Sequence, residues 1–150
     1  MTTMTLSSPE FEDGDRIPRK YGYNMENINP PLDIKNIPSK AKSLVLIMDD
    51  PDAMEPAGKI WDHWVVWNIE PNTSWIAEDS LPPGAKEGKN DYGEIGYGGP
   101  NPPDKEHTYR FILYALDTIL NLRDATKKDV LEAIEGHVLE KTTLRGTYAP

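Results

Sequence analysis

Three apolar segments of strand length alternate with long stretches of proline, glycine and charged residues. They cover residues 44–48, 64–69 and 109–116. The first stops at an Asp-Asp-Pro sequence and the second at a Pro-Asn sequence, and both favour turns over a continued element. Short apolar runs between such breakers are typical of strands. We therefore expect a mainly β fold rather than a helical bundle.

The segment at residues 64–69 is apolar on both of its faces. Side chains on a strand point alternately to its two sides. The residues divide into Trp64 and Val66 on one face, and Val65, Trp67 and Ile69 on the other. A strand of this kind needs cover on both sides, so we place it in the middle of a sandwich.

One helix is predicted, over residues 126–139. Thr126 can cap its start, with Asp129 three residues later as the reciprocal partner. Apolar residues then recur at helical spacing along one face; they are Val130, Leu131, Ile134 and Val138. Gly136 weakens this helix slightly. The last stretch, residues 142–148, is predicted to be a strand.

Length and composition fit one domain. A chain of 150 residues can bury a core without a metal or disulfides. Residues 1–10 are small and polar, and we expect a flexible N-terminus there, followed by a single domain over residues 11–150. Residues 78–106 form a long loop, for which we expect a function because it carries Tyr92, Tyr97 and several glycines.

Charge and cysteine content exclude several functions. The net charge is -9 and the pI is about 4.8, whereas nucleic-acid binding and adhesion to anionic membranes need clustered Lys and Arg. Without cysteine, disulfides and thiolate chemistry are ruled out. We expect no integral membrane association, because no segment is long and apolar enough to span a bilayer. The first ten residues lack a signal-peptide pattern, so the predicted location is the cytoplasm.

Two stretches are predicted to form two walls of one site, each a Pro- or Gly-rich loop followed by a histidine at the start of an apolar strand. The first wall, residues 50–64, contains Asp50-Pro51-Asp52-Ala53 and Trp61-Asp62-His63-Trp64. The second wall, residues 96–109, contains Gly96-Tyr97-Gly98-Gly99-Pro100-Asn101-Pro102-Pro103 and His107-Thr108-Tyr109. Two of the three histidines therefore lie in matching settings.

His107 and Tyr109 are two residues apart on a strand, so both can point to one ligand. The glycines before them allow backbone N–H groups to form an anion-binding concavity. Alternatively, His107 simply starts a strand and Tyr109 belongs to the core. For His63, between two tryptophans, a buried structural role is the commoner alternative.

Asp50 and Asp52 favour a functional role for the histidines. Carboxylates at a strand end are rarely buried without partners, and an imidazole N–H is a natural partner. We expect these two residues to orient the histidine rings. Three other sites are weakly supported: a His-His-Asp metal triad, a serine-hydrolase elbow and a paired-carboxylate glycosidase site. No catalytic residue, metal site or cofactor is assigned.

These motifs, in this order, resemble the phosphatidylethanolamine-binding protein family, and more closely its bacterial and archaeal branch of Raf-kinase-inhibitor-like proteins. The resemblance covers nearly the whole chain. It implies a Greek-key β-sandwich with one or two peripheral helices and a pocket for phosphate, acetate or a phospholipid headgroup. The implied ligand-binding residues are Asp50, Asp52, His63, Gly99, His107 and Tyr109, with Pro51, Trp61 and Pro102 shaping the walls.

The chain departs from the family pattern at three positions. Met54 stands where proline is common, Asn101 where the microbial branch often has cysteine, and Thr108 where arginine is common. The last change removes a positive charge beside the second wall. These departures weaken the case for kinase regulation and for headgroup selectivity, while the two histidines are retained.

The interpretation we adopt is a non-catalytic binding or regulatory protein with a small-anion pocket for phosphate or phosphoethanolamine. Its protein partner would be a peptidase or a kinase that it inhibits. The alternative is a small-molecule hydrolase or lyase with His63 and His107 as acid and base. A third hypothesis is an interaction protein whose pocket is unused. Trp67 and Trp75 are candidates for an apolar patch that joins two copies in a homodimer.

Overall fold

The computed structural model describes residues 3–150, which form two antiparallel β-sheets and two short helices. The strands are β1 (Thr5–Ser7), β2 (Leu32–Lys35), β3 (Ser43–Asp50), β4 (Trp61–Ile69), β5 (Trp75–Ile76), β6 (Lys86–Glu87), β7 (His107–Leu116) and β8 (Val138–Tyr148). The helices are α1 (Met54–Ala57) and α2 (Lys127–Ile134). The predicted mainly β fold with peripheral helices is confirmed.

The two sheets face each other across the larger of two cores. One sheet has the strand order β1-β2-β5 and the other the order β6-β4-β3-β7-β8. Side chains of both sheets meet in the core between them, among them Leu32, Ile34, Leu46, Trp64 and Phe111. The three apolar segments of the sequence are thus the three central strands β3, β4 and β7.

Strand β4 is covered on both faces, as its pattern predicted. Trp64 and Val66 lie in the core between the sheets, while Val65 and Trp67 lie in the second core. Ile69 differs from the prediction, because it joins the first of these groups. The reason is local: Asn68 has a left-handed φ of 56°, and the β3–β4 register shifts at this point. The bulge reverses the side on which the next residue lies.

The second core lies between the large sheet and helix α2. Val130 and Ile134 are its buried helix residues. Thr126 and Asp129 form the predicted capping box. The helix is shorter than predicted, however, and Val138 belongs to β8. Gly136, at a φ of +82°, reverses the chain after Ile134, and pairing with β7 takes over.

A buried ion cluster fixes α2 to the sheet. Asp49 is fully buried and accepts two hydrogen bonds from Arg110, each 2.8 Å long, and one of 2.9 Å from Lys127. The two cations outweigh burial and lower the pKa of Asp49. Such a buried carboxylate is stable only with partners, so the first residue of α2 is held on β3.

The N-terminal segment differs from the flexible one expected for residues 1–10. Thr5–Ser7 forms β1 and pairs with β2, while Met4 and Leu6 are buried. Alternation of the apolar residues Met4 and Leu6 supplies one buried face of an edge strand. The expectation for residues 1 and 2 lies outside the described residues.

The register of the central strands brings distant residues to one end of the sandwich. Asp50 at the end of β3 pairs with Trp61 at the start of β4, and Asp49 pairs with Arg110 of β7. One residue further along, Asp50 therefore lies beside Tyr109. Within residues 3–150 no helix is both long and apolar enough to cross a membrane.

Candidate functional site

A cavity of about 230 Å³ lies at this end of the sandwich. It is lined by residues of both walls and of the loop between them: Asp50, Ala53, Pro56, Ala57, Trp61, His63, Tyr92, Asn101, Pro102, Pro103, His107 and Tyr109. Six of the nine residues singled out in the sequence are in this set. Pro51, Asp52 and Gly99 are not, and the structure gives them supporting positions.

His107, in the second wall, is hydrogen-bonded through both ring nitrogens. Its Nδ1 lies 2.6 Å from Oδ2 of Asp50, and its Nε2 lies 2.7 Å from Oδ1 of Asp104. Only 1% of its surface is exposed. Burial lowers the pKa of His107, but the two carboxylates outweigh burial and raise it. Since carboxylates only accept hydrogen bonds, both nitrogens donate and the ring is an imidazolium.

Asp50 is fixed by hydrogen bonds on both of its oxygens. Oδ2 accepts from His107, and Oδ1 accepts from the backbone N–H of Asp52 at 2.9 Å, which caps the turn at Pro51–Ala53. Burial raises the pKa of Asp50, and His107 opposes that rise without cancelling it. Pro51 is the first residue of this turn. The backbone N–H at that position has no partner within the turn, so proline, which lacks an N–H, fits there without loss of a hydrogen bond.

Asp52 does not hydrogen-bond a histidine ring, contrary to our expectation. Its side chain is exposed, and Oδ2 accepts the backbone N–H of Thr108 at 2.8 Å. Thr108 follows His107 at the start of β7. Asp52 thus joins the first wall to the second through the backbone, while Asp50 alone orients a histidine ring.

His63, in the first wall, is held by a backbone carbonyl. Its Nδ1 lies 2.6 Å from the carbonyl oxygen of Gly98. Because a carbonyl oxygen only accepts, Nδ1 carries the proton and Nε2 is an acceptor. Burial lowers the pKa of His63 to about 4, so the ring is neutral at pH 7. It packs edge-on against Tyr92 and Tyr109, at centroid distances of 5.7 and 5.2 Å.

The glycines of the second wall do not offer their N–H groups to the cavity. The N–H of Gly99 donates to Oδ1 of Asn27 at 2.7 Å, and the N–H of Gly98 donates to the carbonyl of His63 at 2.9 Å. Glycine is required at position 99 for another reason. A Cβ there would lie 2.1 Å from the carbonyl oxygen of Tyr21. The structure therefore differs from the expected glycine cradle for an anion.

Two residues that line the cavity each have a buried donor atom without a hydrogen bond. Across residues 3–150, the buried side-chain polar atoms without a hydrogen bond are Nε1 of Trp61, Nε1 of Trp67 and Oη of Tyr109. Trp67 lies in the second core, away from the cavity, whereas Trp61 and Tyr109 line it. Burial, and after it the Asp50 carboxylate, raises the pKa of Tyr109, so its hydroxyl keeps the proton. Nε1 of Trp61 is therefore a donor without an acceptor, and Oη of Tyr109 has only the nearby Asp50 carboxylate, outside hydrogen-bond geometry.

Sequence reasoning missed Asp104 and gave Tyr92 no specific role. Tyr92 donates its hydroxyl to the carbonyl of Gly99 at 2.8 Å and stacks on Tyr23 at 3.9 Å. The side chain of Asn90 builds the turn that places it, accepting from the N–H groups of Tyr92 and Glu94. A signal was present for Asp104, because it lies three residues before a histidine in a Pro-Pro-Asp turn.

Across residues 3–150, no cluster of three His, Asp or Glu side chains is arranged to hold a metal ion.

Of the two tryptophans considered for a homodimer, only Trp75 is exposed, at 47%, while Trp67 is 1% exposed. Trp67 therefore belongs to the core and cannot contribute to a surface patch.

Comparison with known proteins gives the family. Residues 7–149 match the model of the family described as phosphatidylethanolamine-binding protein. A UPF0098 protein of Methanothermobacter thermautotrophicus is 49% identical over 151 residues, covering 97% of this chain and 98% of the relative.

Solved structures agree. A phosphatidylethanolamine-binding protein homologue from Chlamydia trachomatis superposes with a TM-score of 0.92 at 43% identity, over 97% of each chain. YbcL of Escherichia coli, described as a new member of the mammalian family, superposes with a TM-score of 0.90 at 28% identity, over 98% of each chain. The chain therefore belongs to the phosphatidylethanolamine-binding protein family.

Proposed function

We propose that this protein is a non-catalytic binding protein whose cavity takes a small oxyanion, either free phosphate or the phosphate of phosphoethanolamine. The observation that carries the proposal is that two residues lining the cavity each have a buried donor without a hydrogen bond, Nε1 of Trp61 and Oη of Tyr109. A buried donor without an acceptor costs about 1–3 kcal/mol. One oxyanion presents several acceptor oxygens and can satisfy both donors.

Cavity size and charge restrict the ligand further. A volume of about 230 Å³ is below the range of about 300–1,000 Å³ that holds drug-sized ligands. The imidazolium of His107 supplies a positive charge at the wall, opposed by the carboxylates of Asp50 and Asp104. The cavity therefore favours a small ligand that is bound through directed donors rather than through a strong positive field.

We extend the proposal to regulation of a protein partner, a peptidase or a kinase, which is the class that the family resemblance favours. The rim of the cavity supports this extension. Met54 on α1 is 55% exposed, and Glu55 beside it accepts from Lys105 of the second wall at 2.9 Å. A ligand that shifts either wall would alter this exposed rim, where a partner could contact it.

The alternative, a hydrolase or lyase with His63 and His107 as acid and base, has less support. Both nitrogens of His107 are engaged by carboxylates, and Nδ1 of His63 is engaged by a carbonyl. Only Nε2 of His63 is left as a base, and it would be a weak one at a pKa of about 4.

The test is an NMR titration of the three histidine side chains with inorganic phosphate and, separately, with phosphoethanolamine. We expect His63 and His107 to shift together while His137, which is exposed and paired with Asp117, does not. Tighter binding of phosphoethanolamine than of phosphate would identify a headgroup as the ligand, and the reverse would identify the free ion. No shift of His63 and His107 with either compound would overturn the proposal.

A matched pair of variants tests whether the hydroxyl of Tyr109 binds phosphate. Tyr109→Phe removes the unpartnered hydroxyl and should weaken phosphate binding about tenfold, because one hydrogen bond to a charged group is lost. Tyr114→Phe removes a hydroxyl from the second core and should leave binding unchanged. Equal affinity for phosphate in both variants would contradict the assignment. Turnover of a phosphoester that disappears in His63→Ala would favour the hydrolase or lyase instead.

A further inference from the structure

The two carboxylates on His107 are held differently. Asp50 lines the cavity and its side chain is 4% exposed, whereas the Asp104 side chain is 36% exposed. Asp104 approaches the histidine from the opposite ring nitrogen, within the turn that leads into β7. The three side chains form one row, from solvent at Asp104, through His107, to the cavity at Asp50.

We propose that Asp104 is a positioning residue for the cavity, which holds the His107 ring in its doubly hydrogen-bonded orientation and so keeps a positive charge beside Asp50. The inference rests on the proposed function, because it takes the cavity to be the anion site. Asp104 itself does not line the cavity and acts only through His107.

The physical reason lies at Nε2. His107 is 1% exposed, so its imidazolium depends on the Asp104 carboxylate at Nε2 for a counter-charge. The amide oxygen in Asp104→Asn can still accept the N–H but no longer stabilises the positive charge, which favours loss of the Nε2 proton. The neutral ring could still donate Nδ1–H to Asp50. The carboxylate of Asp50 would then face the cavity without a compensating cation, and an anion there would be repelled.

Two contacts hold Asp104 in place. Lys105, the next residue, pairs with Glu55 at 2.9 Å, and the N–H of Thr108 donates to Asp52 at 2.8 Å. Both contacts fix the Asp104 turn against the first wall. The ionisable groups around His107 come from the end of β3 and the turn after it, from its own loop and strand, and from the facing position of β8; they are Asp50, Asp52, Asp104, Tyr109 and Tyr148.

The experiment compares phosphate affinity at pH 6.0 and pH 8.5 in the wild type, Asp104→Asn and Asp104→Glu. Ionisation of phosphate is common to all three proteins and cancels in the comparison. For each protein we take the ratio of the Kd for phosphate at pH 8.5 to that at pH 6.0. This ratio should be at least about fivefold larger for Asp104→Asn than for the wild type, because binding of the anion is coupled to the charge of the imidazolium. Asp104→Glu keeps the carboxylate and should restore most of the wild-type behaviour.

The control is Asp117→Asn. It removes the carboxylate that accepts from Nδ1 of His137 at 2.8 Å, a histidine-aspartate pair outside the cavity, and should leave both Kd values unchanged. If Asp104→Asn instead tightens phosphate binding equally at both pH values, Asp104 is only a repelling charge and the inference is overturned.

A second measurement separates this inference from the proposed function. The NMR titration of His107 with pH requires no ligand, and its midpoint should fall in Asp104→Asn and return in Asp104→Glu. If the wild type binds no phosphate at either pH, the proposed function fails, and the His107 midpoint alone decides the role of Asp104. An unmoved midpoint overturns the inference, even where phosphate binds.

Discussion

The two histidines of the cavity lie near the starts of β4 and β7, the strands on either side of β3, in matching sequence settings, yet their protonation states differ. His107 is an imidazolium between two carboxylates, and His63 is a neutral ring bound to a carbonyl. Each is held by the other wall: Asp50 of the first wall bonds His107, and Gly98 of the second wall bonds His63. The two walls are thereby braced across the cavity.

The difference shows that depth of burial and the bonding partner together decide the charge of a histidine. Both rings are almost inaccessible to solvent, at 2% and 1% exposure, but His63 lies deeper in the protein. A carboxylate stabilises the charged ring, whereas a carbonyl accepts one N–H and leaves burial to favour the neutral ring. The cavity thus has a charged ring on one side, with both N–H groups engaged by carboxylates, and on the other side a neutral ring whose Nε2 is an acceptor.

The largest expected effect is on stability, and it comes from the close approach of Gly99, in the second wall, to the backbone of Tyr21. Gly99→Ala places a Cβ 2.1 Å from the carbonyl oxygen of Tyr21 and 2.9 Å from backbone atoms of the next residues. Since backbone must move, we expect a loss of more than about 3 kcal/mol in the free energy of unfolding. Denaturant unfolding measures it.

Gly58→Ala is the matched change in the first wall. Gly58 has a φ of +74° but open space around its Cβ position, so only the left-handed backbone is penalised, by about 1 kcal/mol. Equal losses in the two variants would mean that the close approach of Gly99 to Tyr21 does not matter.

The next effect concerns acid stability. The pKa of His63 is about 4 in the folded protein, against an ordinary value of 6.5. The stability contributed by its neutral ring is present above pH 6.5 and is lost as the pH falls towards 4, because the unfolded chain binds the proton first. The loss amounts to about 3 kcal/mol. His63→Gln should therefore lose less stability than the wild type between pH 6.5 and 4, in urea unfolding at each pH. Parallel curves would refute the neutral assignment.

The smallest expected effect is the pH dependence of the stability that His107 contributes, and its sign is opposite to that for His63. The pKa of His107 is raised by its carboxylates against the effect of burial, so its contribution is fully present below the unfolded value and is lost as the pH rises through the folded value. The stability difference between the wild type and His107→Gln should shrink from pH 6 to pH 9. A difference that grows over this interval would mean that His107 is neutral, like His63, and the contrast between the two walls would disappear.

The sequence by itself determined the framework. Apolar run length and alternation gave the central strands, because burial on both faces leaves a local pattern. The Thr126 and Asp129 capping box is equally local. Local signals also placed His63, His107 and Tyr109 at strand starts, and the resemblance to the family then supplied the full set, of which six residues line the cavity.

Only the tertiary structure decided the partners. Asp50 meets His107 across 57 positions, and Gly98 meets His63 across 35. These contacts depend on how β3, β4 and β7 align and on how the 78–106 loop closes, neither of which has a local signal. The same dependence explains why Asp52 accepts a backbone N–H, why the N–H of Gly99 donates to Asn27, and why the role of Asp104 was not predicted. Residue types and spacing identified two candidate histidines. The strand register then placed Asp50 beside His107, and so His107 is the charged one.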